Sequence, residues 1–429
     1  MSVVDYVATS NWAGNIKWTR EGVTAVKDTE HLATIVKEAT GPIRALGTGH
    51  CFSPIANTEG VHVRLLGEAF GKVTIDKDAS VVTLGAGVTY AKLLDACEEA
   101  DVCLANCPSL PHITVVGSIM TGTHGTGWNK KTIGNEVVGL EVVRSDGSID
   151  KVGAKDEDLP WIVQSWGAAG VVTSVTLKVY PKHEIYKQII MQPDWTQTLE
   201  KLEDIYSAAE YVSIFAHWGP EGASVNSIWF GLNKDQMPEH VKKIFPEGTE
   251  EVEVGQGVHP VLTLDAKNCI KVGSTSVNRC QYHFIPGGTP SSGVGLELQS
   301  EFFVPFDKAR AALAALSERS GEFCDLVVVA ELRLVVGDNL PLSVCRQSEA
   351  ERFLGIHFTW HFRQDEVAIC LRDIVQPIFK QFGPLRPHVG KVFVRDESMD
   401  CIFEKYEDLK AKFDPESRFQ GFAVATSPP

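Results

Sequence analysis

The sequence predicts an α+β protein with two domains. Over roughly the first 180 residues, short apolar runs alternate with helical patterns, without the regular strand–helix–strand spacing of a parallel sheet. From about residue 183 onward aromatic residues increase and long strand-like runs appear. We therefore predict a first domain at 1–182 and a second domain at 183–412, built on a large antiparallel sheet. A closing segment at 413–429 is expected to return toward the first domain.

Local patterns predict the elements of the first domain. Apolar residues recur at helical spacing in HLATIVKEA (31–39) and YAKLLDACEEA (90–100). GLEVVRSDGSIDKV (139–152) predicts a hairpin that turns at its Asp-Gly pair, because that pair favours tight hairpin turns. Strands are predicted at three further apolar runs, VHVRLL (61–66), SVVTLGAG (80–87) and VVTSVTLKVYP (171–181).

The second domain combines long strand-like runs with amphipathic helices. Helices are predicted for KARAALAALSER (308–319) and VAICLRDIVQPIFKQF (367–382). Strands are predicted for VNSIWFGL (225–232), LELQSEFFVP (296–305), DLVVVAELRLVV (325–336), HFTW (357–360) and HVGKVFV (388–394). Long strands with helices between them are most simply accommodated in one antiparallel sheet.

Composition and charge disfavour several classes of protein. The 429 residues carry a formal net charge of -15, whereas nucleic-acid-binding proteins are more often basic, and anionic membrane surfaces repel such a chain. The ten cysteines form no CxxC pair, so no metal site is expected. Residues 1–14 lack the basic and apolar regions of a signal peptide, which predicts a cytoplasmic location. The acidity is compatible with a small neutral, polyhydroxylated substrate.

Three glycine-containing stretches of the first domain are candidates for an anion-binding site. In RALGTGHCFSP (44–54) a strand enters a turn whose glycines let backbone N–H groups approach an anion closely. PSLPHITVVGSIMTGTHGTG (108–127) is a loop-rich run of small residues and hydroxyls that suits a pyrophosphate without a cationic clamp. WGAAGVVTSVTL (166–177) lets the backbone approach a flat ring. Taken singly, each stretch also fits a simple structural turn.

A competing pattern is LGAGVTY (84–90), which follows a strand and precedes a helix as a dinucleotide fingerprint would. Tyr90 stands at the position of the third glycine, however, and no acidic residue ends a second strand about 20 residues further on. This departure disfavours a nicotinamide-dinucleotide site.

Together the three stretches resemble the vanillyl-alcohol-oxidase family, whose FAD-binding domain is of the PCMH type. The resemblance implies a two-part FAD domain, a substrate (cap) domain, and FAD bonded covalently to His50 of the GxGH turn. It narrows to the alditol (xylitol) oxidases, and to the related sugar-1,4-lactone oxidases, at NWAGNIKW (11–18), CPSLPHITVVGSIMTGTHGTG (107–127), LELQSEFFVP (296–305), HFTW (357–360) and RPHVGKVF (386–393). The implied FAD contacts are Ala45, Leu46, Gly47, Thr48, Gly49, His50, Cys51, Ser109, Thr114, Gly117, Ser118, Ile119, Met120, Thr121, Gly122, Val172 and His388.

The chemistry of alcohol oxidation points to candidate catalytic residues. Hydride transfer to a flavin requires a proton acceptor, and cations where negative charge develops. AELRL (330–334) puts Glu331 and Arg333 on one face of an apolar strand, where charges are costly unless they are paired or functional. A solvated surface pair is the alternative interpretation. HFTW places His357 and Thr359 on one strand face in the same way.

The resemblance adds Lys391, beside the reacting carbon, and Ser109, in contact with both flavin and substrate. The predicted catalytic residues are thus Lys391, Arg333, Glu331 and His357, and the predicted substrate-binding residues are Ser109, Glu331, Arg333 and Thr359. No sequence pattern indicates a catalytic role for His112 or His124, and both are expected to be loop residues near FAD. Val389 departs from both families, because alditol oxidases usually have a tryptophan there and lactone oxidases typically read His-Trp-Ala-Lys across this segment.

The implied reaction converts an alditol and dioxygen into an aldose and hydrogen peroxide, starting at a terminal CH2OH. The main alternative is a sugar-1,4-lactone oxidase that acts on a gulono-, galactono- or arabinono-lactone to give an ascorbate-like product. A non-catalytic FAD protein or a structural module is the alternative from another class. The set of Glu331, Arg333 and Lys391 argues against that last alternative.

Overall fold

A computed structural model of the protein describes residues 9–20, 22–233, 238–245, 250–252, 257–258, 270–278 and 297–419. It confirms the α+β class, with mixed sheets and helices in the first half and a large antiparallel sheet in the second. Residues 1–8, which were expected to lack a signal peptide, lie outside the described residues. The end of the predicted closing segment, 420–429, lies outside them as well. No helix in the described part of the chain is long and apolar enough to cross a membrane.

The strands of the first half form two main sheets. In chain order they are β1 (Thr24–Val26), β2 (Ile43–Ala45), β3 (Val61–Leu65), β4 (Val73–Asp76), β5 (Val81–Gly85), β6 (Val102–Cys103), β7 (Val137–Val143), β8 (Ile149–Gly153), β9 (Val171–Lys178) and β10 (Tyr180–Pro181). A parallel sheet has the order β1–β3–β2, and an antiparallel sheet has the order β4–β5–β9–β7–β8. The strand predicted at 171–181 is confirmed, although it divides into β9 and the short β10, which pairs with β6.

Four helices accompany these sheets, and the first two confirm the helices predicted at 31–39 and 90–100. They are α1 (Thr29–Glu38), α2 (Tyr90–Glu99), α3 (Val115–Met120) and α4 (Leu159–Ile162). In α1 the side chain of Asp28 accepts from the His31 N–H at 2.7 Å, which caps the first turn. α1 buries Leu32 and Val36 against the parallel sheet. The run at 108–127, predicted to be mainly loop, contains α3, so its glycines flank a short helix.

The predicted hairpin is confirmed as β7 and β8. Their connection closes through a hydrogen bond from the Arg144 N–H to the Ser148 carbonyl at 2.9 Å. Gly147 has φ +77° in this turn, a conformation that glycine adopts at little steric cost. The Asp-Gly pair therefore sets the turn as the sequence indicated.

The second half is built on an eight-stranded sheet. The strands of this half, including a separate short pair, are in chain order β11 (Glu184–Met191), β12 (Tyr211–Gly219), β13 (Gly222–Leu232), β14 (Glu250–Glu251), β15 (Gly257–Val258), β16 (Ile270–Lys271), β17 (Gly273–Ser276), β18 (Glu297–Pro305), β19 (Val327–Val336) and β20 (Arg352–His361). The order is β14–β11–β13–β12–β19–β20–β18, with β17 also paired to β11, and every pairing is antiparallel. β15 and β16 pair separately.

One face of this sheet is covered by helices, which leaves the other face for a cavity. The helices are α5 (Trp195–Glu200), α6 (Leu202–Ser207), α7 (Pro238–Ile244), α8 (Phe306–Glu318), α9 (Gln364–Cys370) and α10 (Gln376–Lys380). The last helix, α11 (Asp400–Phe413), packs instead on Trp166 of the first half through Phe403 and Tyr406. Leu313 and Leu316 of α8 are fully buried in the core that also holds Phe358 and Trp360 of β20. The helix predicted at 367–382 is α9 and α10 joined by a π-helical turn, in which the Gln376 N–H donates to the Leu371 carbonyl.

The strand predicted at 388–394 is wrong. The chain bonds to the edge of β18 through the His388 N–H and again through the Val392 N–H, but between them it turns away. The Lys391 N–H donates to the His388 carbonyl at 2.9 Å and closes this turn. A Cβ atom at Gly390 would lie 3.2 Å from Cys51 Sγ, so the turn packs closely on the loop that follows β2. This contact lies far away in the sequence, and the apolar run alone did not reveal it.

The closing segment contacts the first half of the chain as far as it is described. Phe419 is buried with Val26, Leu32 and Ile43, and the Ile43 N–H donates to the Arg418 carbonyl at 2.8 Å. The domain bounds 1–182, 183–412 and 413–429 stay a prediction.

Candidate active site

A large cavity joins the two halves of the fold. Its empty volume is about 2110 Å³, including its mouth. The cavity runs from the ends of β2 and β3, past the N-terminus of α3, to the uncovered face of β19, β20 and β18. It therefore brings together the glycine-containing stretches and the predicted catalytic strands.

His50 lies at the end of the turn that follows β2. Gly49 has φ +68°, and its carbonyl accepts from the Trp12 N–H at 2.7 Å. The His50 ring stacks on Trp12 with 4.3 Å between ring centroids, and His112 lies 5.1 Å away. The ring is thus held from two sides, with Trp12 fixing its plane.

The surroundings of His50 keep its imidazole neutral. Burial, and then the neighbouring His112, lower the pKa of His50 to about 3. Its Nε2 is buried and has no hydrogen-bond partner in the described structure. A neutral ring with an unpartnered nitrogen on a cavity wall fits a histidine that is completed by a bound group.

Gly47 in the same turn allows a close approach to the residue that precedes α3. A Cβ atom at Gly47 would lie 2.2 Å from Thr114 Oγ1, and one at Gly117 would lie 2.8 Å from the same oxygen. The loop after β2 and the start of α3 therefore meet around one hydroxyl, and side chains at either glycine would push them apart.

We expect Gly47→Ala to destabilise the protein by about 1–3 kcal/mol, because the added methyl overpacks against Thr114. Chemical denaturation measures the loss. Thr114→Ala removes the clashing oxygen, so the double variant should regain most of the stability that Gly47→Ala loses. If the two losses simply add, the two side chains do not compete for this space.

The catalytic candidates form a row across the sheet. The register places Glu331 of β19 opposite His357 of β20, and His357 opposite Glu301 of β18. Directly opposed residues in antiparallel strands project from the same face. Arg333 lies two positions after Glu331, and Thr359 lies two positions after His357, so both side chains project from this face as well. All five of these residues line the cavity.

Lys391 reaches this row from the turn after His388. Its Nζ donates to Glu301 Oε2 at 2.7 Å and to His357 Nδ1 at 2.6 Å. Because an ammonium only donates, His357 Nδ1 is the acceptor, and its Nε2 then carries the proton and lies 3.3 Å from Thr359 Oγ1. Arg333 Nη1 donates to Ser109 Oγ at 3.2 Å, which ties the sheet to the first half.

Charge compensation in this cluster is internal. Burial, and then the charge of Lys391, lower the pKa of His357 well below its usual value. Burial also lowers the pKa of Lys391, although Glu301 opposes this. The arrangement therefore favours a neutral imidazole between charged neighbours. A neutral His357 can accept the hydrogen bond of Lys391, while the cations of Lys391 and Arg333 can stabilise negative charge on a reacting oxygen.

Most predicted cofactor residues line the cavity, and two do not. Ile119 is buried in the main core beside α3, and Gly122 borders a separate small cavity near Val389. The residues that do line it are Ala45, Leu46, Gly47, Thr48, Gly49, His50, Cys51, Ser109, Thr114, Gly117, Ser118, Met120, Thr121, Val172 and His388.

Sequence reasoning missed part of the site. Glu301 is fully buried at the centre of the charged cluster, and His124 Nε2 lies 3.2 Å from its Oε1. The signal was present in LELQSEFFVP, where Glu297, Gln299 and Glu301 alternate along one face of an otherwise apolar strand. Arg44, a buried guanidinium on the cavity wall, was also missed, because no cation was expected there.

These features fit FAD. The cavity offers glycine turns and a helix N-terminus at one end, the unpartnered His50 nitrogen along its wall, and a buried charged cluster at the other end. Residues 21–153 match the family described as FAD binding domain. The protein is therefore an FAD-dependent oxidoreductase.

Among the described residues, no group of three or more His, Cys, Asp and Glu side chains could hold a metal ion.

Comparison with known proteins identifies the family more closely. Alditol oxidase of a Streptomyces strain is 31% identical over 423 residues, which cover 96% of this chain and 97% of that protein. Mouse L-gulonolactone oxidase is 23% identical over 417 residues, covering 92% of each chain. L-gulono-1,4-lactone dehydrogenase of Mycobacterium tuberculosis is 26% identical over 209 residues, 48% of each chain. The chain belongs to the alditol oxidase family, FAD-dependent enzymes that act on CH–OH groups with oxygen as acceptor.

Proposed function

We propose that the protein oxidises the terminal hydroxyl of alditols such as xylitol and sorbitol to aldoses, while dioxygen is reduced to hydrogen peroxide. We further propose that FAD is bonded covalently through His50. The observation that carries the proposal is the polar row of Glu331, His357 and Thr359, which faces the same cavity as Lys391 and His50. FAD supplies the hydride acceptor in this reaction and passes the electrons to dioxygen.

Lys391 and Arg333 hold the reacting hydroxyl oxygen in this mechanism. Arg333 is buried, the Lys391 side chain is 12% exposed, and both line the cavity, so their charge is little screened by water. As the hydroxyl proton leaves, negative charge grows on the oxygen, and two preorganised donors stabilise it. The hydride then carries the electron pair away from the substrate, and the carbonyl forms. Their contacts with Glu301 and Ser109 fix them before substrate arrives.

The hydroxyl proton has a route through the same contacts. Lys391 Nζ donates to His357 Nδ1 at 2.6 Å, so the two side chains form a hydrogen-bonded path for the proton. Lys391 can take the hydroxyl proton while it passes the proton of this hydrogen bond to His357 Nδ1. The ammonium is thus regenerated, and the cation stays beside the oxygen. Burial and the charge of Lys391 hold the pKa of His357 well below its usual value, so the imidazolium is a short-lived carrier of the proton.

The remaining polar groups suit a chain of neutral hydroxyls. Each substrate hydroxyl both donates and accepts, and the cavity offers a carboxylate at Glu331, hydroxyls at Ser109 and Thr359, and the guanidinium of Arg333. A site built to bond hydroxyls rejects analogues that lack them, because its own buried polar groups are then left unpaired.

A substrate panel with a peroxide readout tests this proposal. We expect kcat/KM to fall steeply from xylitol or sorbitol through glycerol to simple alkanols, by as much as roughly 10⁴-fold. Glu331→Gln should lower polyol turnover while the flavin spectrum is kept. The matched control is Glu136→Gln, because Glu136 bonds Tyr180 outside the cavity. Equal rates with alkanols and alditols would contradict the proposal.

A sugar-1,4-lactone oxidase is the second candidate. One observation favours it: lactone-acting relatives appear in the comparison beside the alditol oxidase. Val389 does not decide between the two candidates, because the sequence departs there from both families. If gulono- or galactonolactone reduces the flavin faster than every alditol tested, the lactone assignment replaces the alditol assignment. We also propose a cytoplasmic location, because the ten scattered cysteines fit a reducing compartment.

A further inference from the structure

Glu301 is the most completely enclosed carboxylate of the cavity. Its side chain is 0% exposed, and Lys391 Nζ and His124 Nε2 lie 2.7 and 3.2 Å from its oxygens. Arg333 Nη2 donates to Glu301 Oε1 at 3.3 Å. Each oxygen thus faces a different cation, with Lys391 on Oε2 and Arg333 on Oε1.

A buried carboxylate in this position has a clear energetic role. Removing charges from water is costly, so Lys391 needs an opposite charge to remain ionised in the cavity wall. The guanidinium of Arg333 stays charged, and a nearby carboxylate offsets the cost of burying it. Glu331 is farther from the guanidinium, with its Oε2 3.8 Å from Arg333 Nε. Glu301 is therefore the carboxylate that contacts both cations at hydrogen-bond distance.

The backbone holds Glu301 and Lys391 together. The Glu301 carbonyl accepts from the His388 N–H at 2.9 Å, which fixes the start of the turn that carries Lys391. The next strand position on the same face, Gln299, accepts from the Val392 N–H at 2.8 Å through its carbonyl. The turn between these two bonds presents Lys391 to the Glu301 side chain.

We propose that Glu301 is a positioning residue: it keeps Lys391 charged, and by accepting hydrogen bonds from Lys391 and Arg333 it orients both cations toward the reacting hydroxyl. The inference rests on the proposed function of these two cations. Glu301 itself touches neither substrate nor cofactor in this role, because its oxygens are occupied by the cations.

The sign of the pH dependence follows from the charges. Burial lowers the pKa of Lys391 and the negative charge of Glu301 raises it, so loss of that charge moves the pKa further down. A reaction that needs the ammonium is fast below this pKa and is lost as pH rises through it. The titratable and charged groups facing the pair are Glu331, Arg333, His124, His357, His388 and Cys345.

The test is the pH profile of flavin reduction, measured anaerobically with xylitol in the purified holoenzyme. For Glu301→Gln we expect the alkaline limb of kcat/KM to move down by about one to three pH units. Glu301→Asp keeps the negative charge but places it farther from Lys391, because the side chain is one methylene shorter. The alkaline limb of this variant should therefore move in the same direction, but by less. Glu297→Gln is the matched control, because Glu297 is equally buried on the same strand but accepts from Gln299.

The outcomes separate the possible errors. An alkaline limb that stays at the wild-type pH in Glu301→Gln, or moves equally in Glu297→Gln, overturns the inference. If Glu301→Gln does not fold, Glu301→Asp decides, and an unmoved limb in that variant is the contrary result. Lys391→Met serves as the reference: if it reduces flavin as fast as wild type, the proposed role of Lys391 itself fails, independently of Glu301.

Discussion

Lys391→Met should slow flavin reduction by roughly 10²–10³-fold, the usual cost of losing one preorganised donor to a developing oxyanion. Methionine fills a similar volume but carries no charge and donates no hydrogen bond. The effect should appear in the limiting rate at saturating alditol, because the ammonium acts on the charge that develops in the transition state. Rapid-mixing absorbance of the flavin measures that rate directly.

Two controls make this result specific. Lys130→Met removes a partly buried lysine whose Nζ lies 2.9 Å from Glu210, away from the cavity lining, and should leave the rate unchanged. The flavin content of Lys391→Met should equal that of wild type, because Lys391 bonds to Glu301 and His357. A change of less than about threefold would rule out the proposed role.

His50→Ala should convert all of the FAD from a form that resists denaturation to one that is released. In wild type, the denatured protein is expected to stay yellow and to fluoresce in a denaturing gel. Alanine removes the unpartnered Nε2, and no other bond to the cofactor is expected. The folded variant should still hold FAD, because the glycine turns and α3 remain in place.

His62→Ala is the matched control for this experiment. His62 is also a buried histidine of the first half, but its Nε2 bonds the Ala56 carbonyl at 3.0 Å and it does not line the cavity. That variant should keep its fluorescent band. Complete release of FAD from denatured wild type would show that the covalent bond does not exist, whatever His50→Ala does.

The parts of the site that could be predicted are those encoded within one element. Strand alternation placed Glu331 and Arg333 on one face, and likewise His357 and Thr359, because side chains two apart on a strand project together. The hairpin at 139–152 was equally local, since its Asp-Gly pair specifies the turn. Such patterns need no knowledge of which strands are neighbours.

The parts that could not be predicted depend on register between distant segments. Glu301 reaches Lys391 only because β18 pairs with β20 and the turn after His388 bonds to the β18 edge. Nothing near Glu301 in sequence reveals these neighbours. For the same reason the sequence predicted no separate role for His124, because its partner Glu301 lies far along the chain.

The Lys391 turn also sets the order in which the protein can be completed. Ser53 Oγ donates to the Val389 carbonyl across 336 positions, and the Phe52 N–H donates to the Gly390 carbonyl. The wall behind His50 is thus closed by residues that lie far along the chain. Contacts of such long range form late, because the intervening chain must first be ordered. We therefore expect the flavin pocket to be completed late in folding, after the two halves of the chain have met.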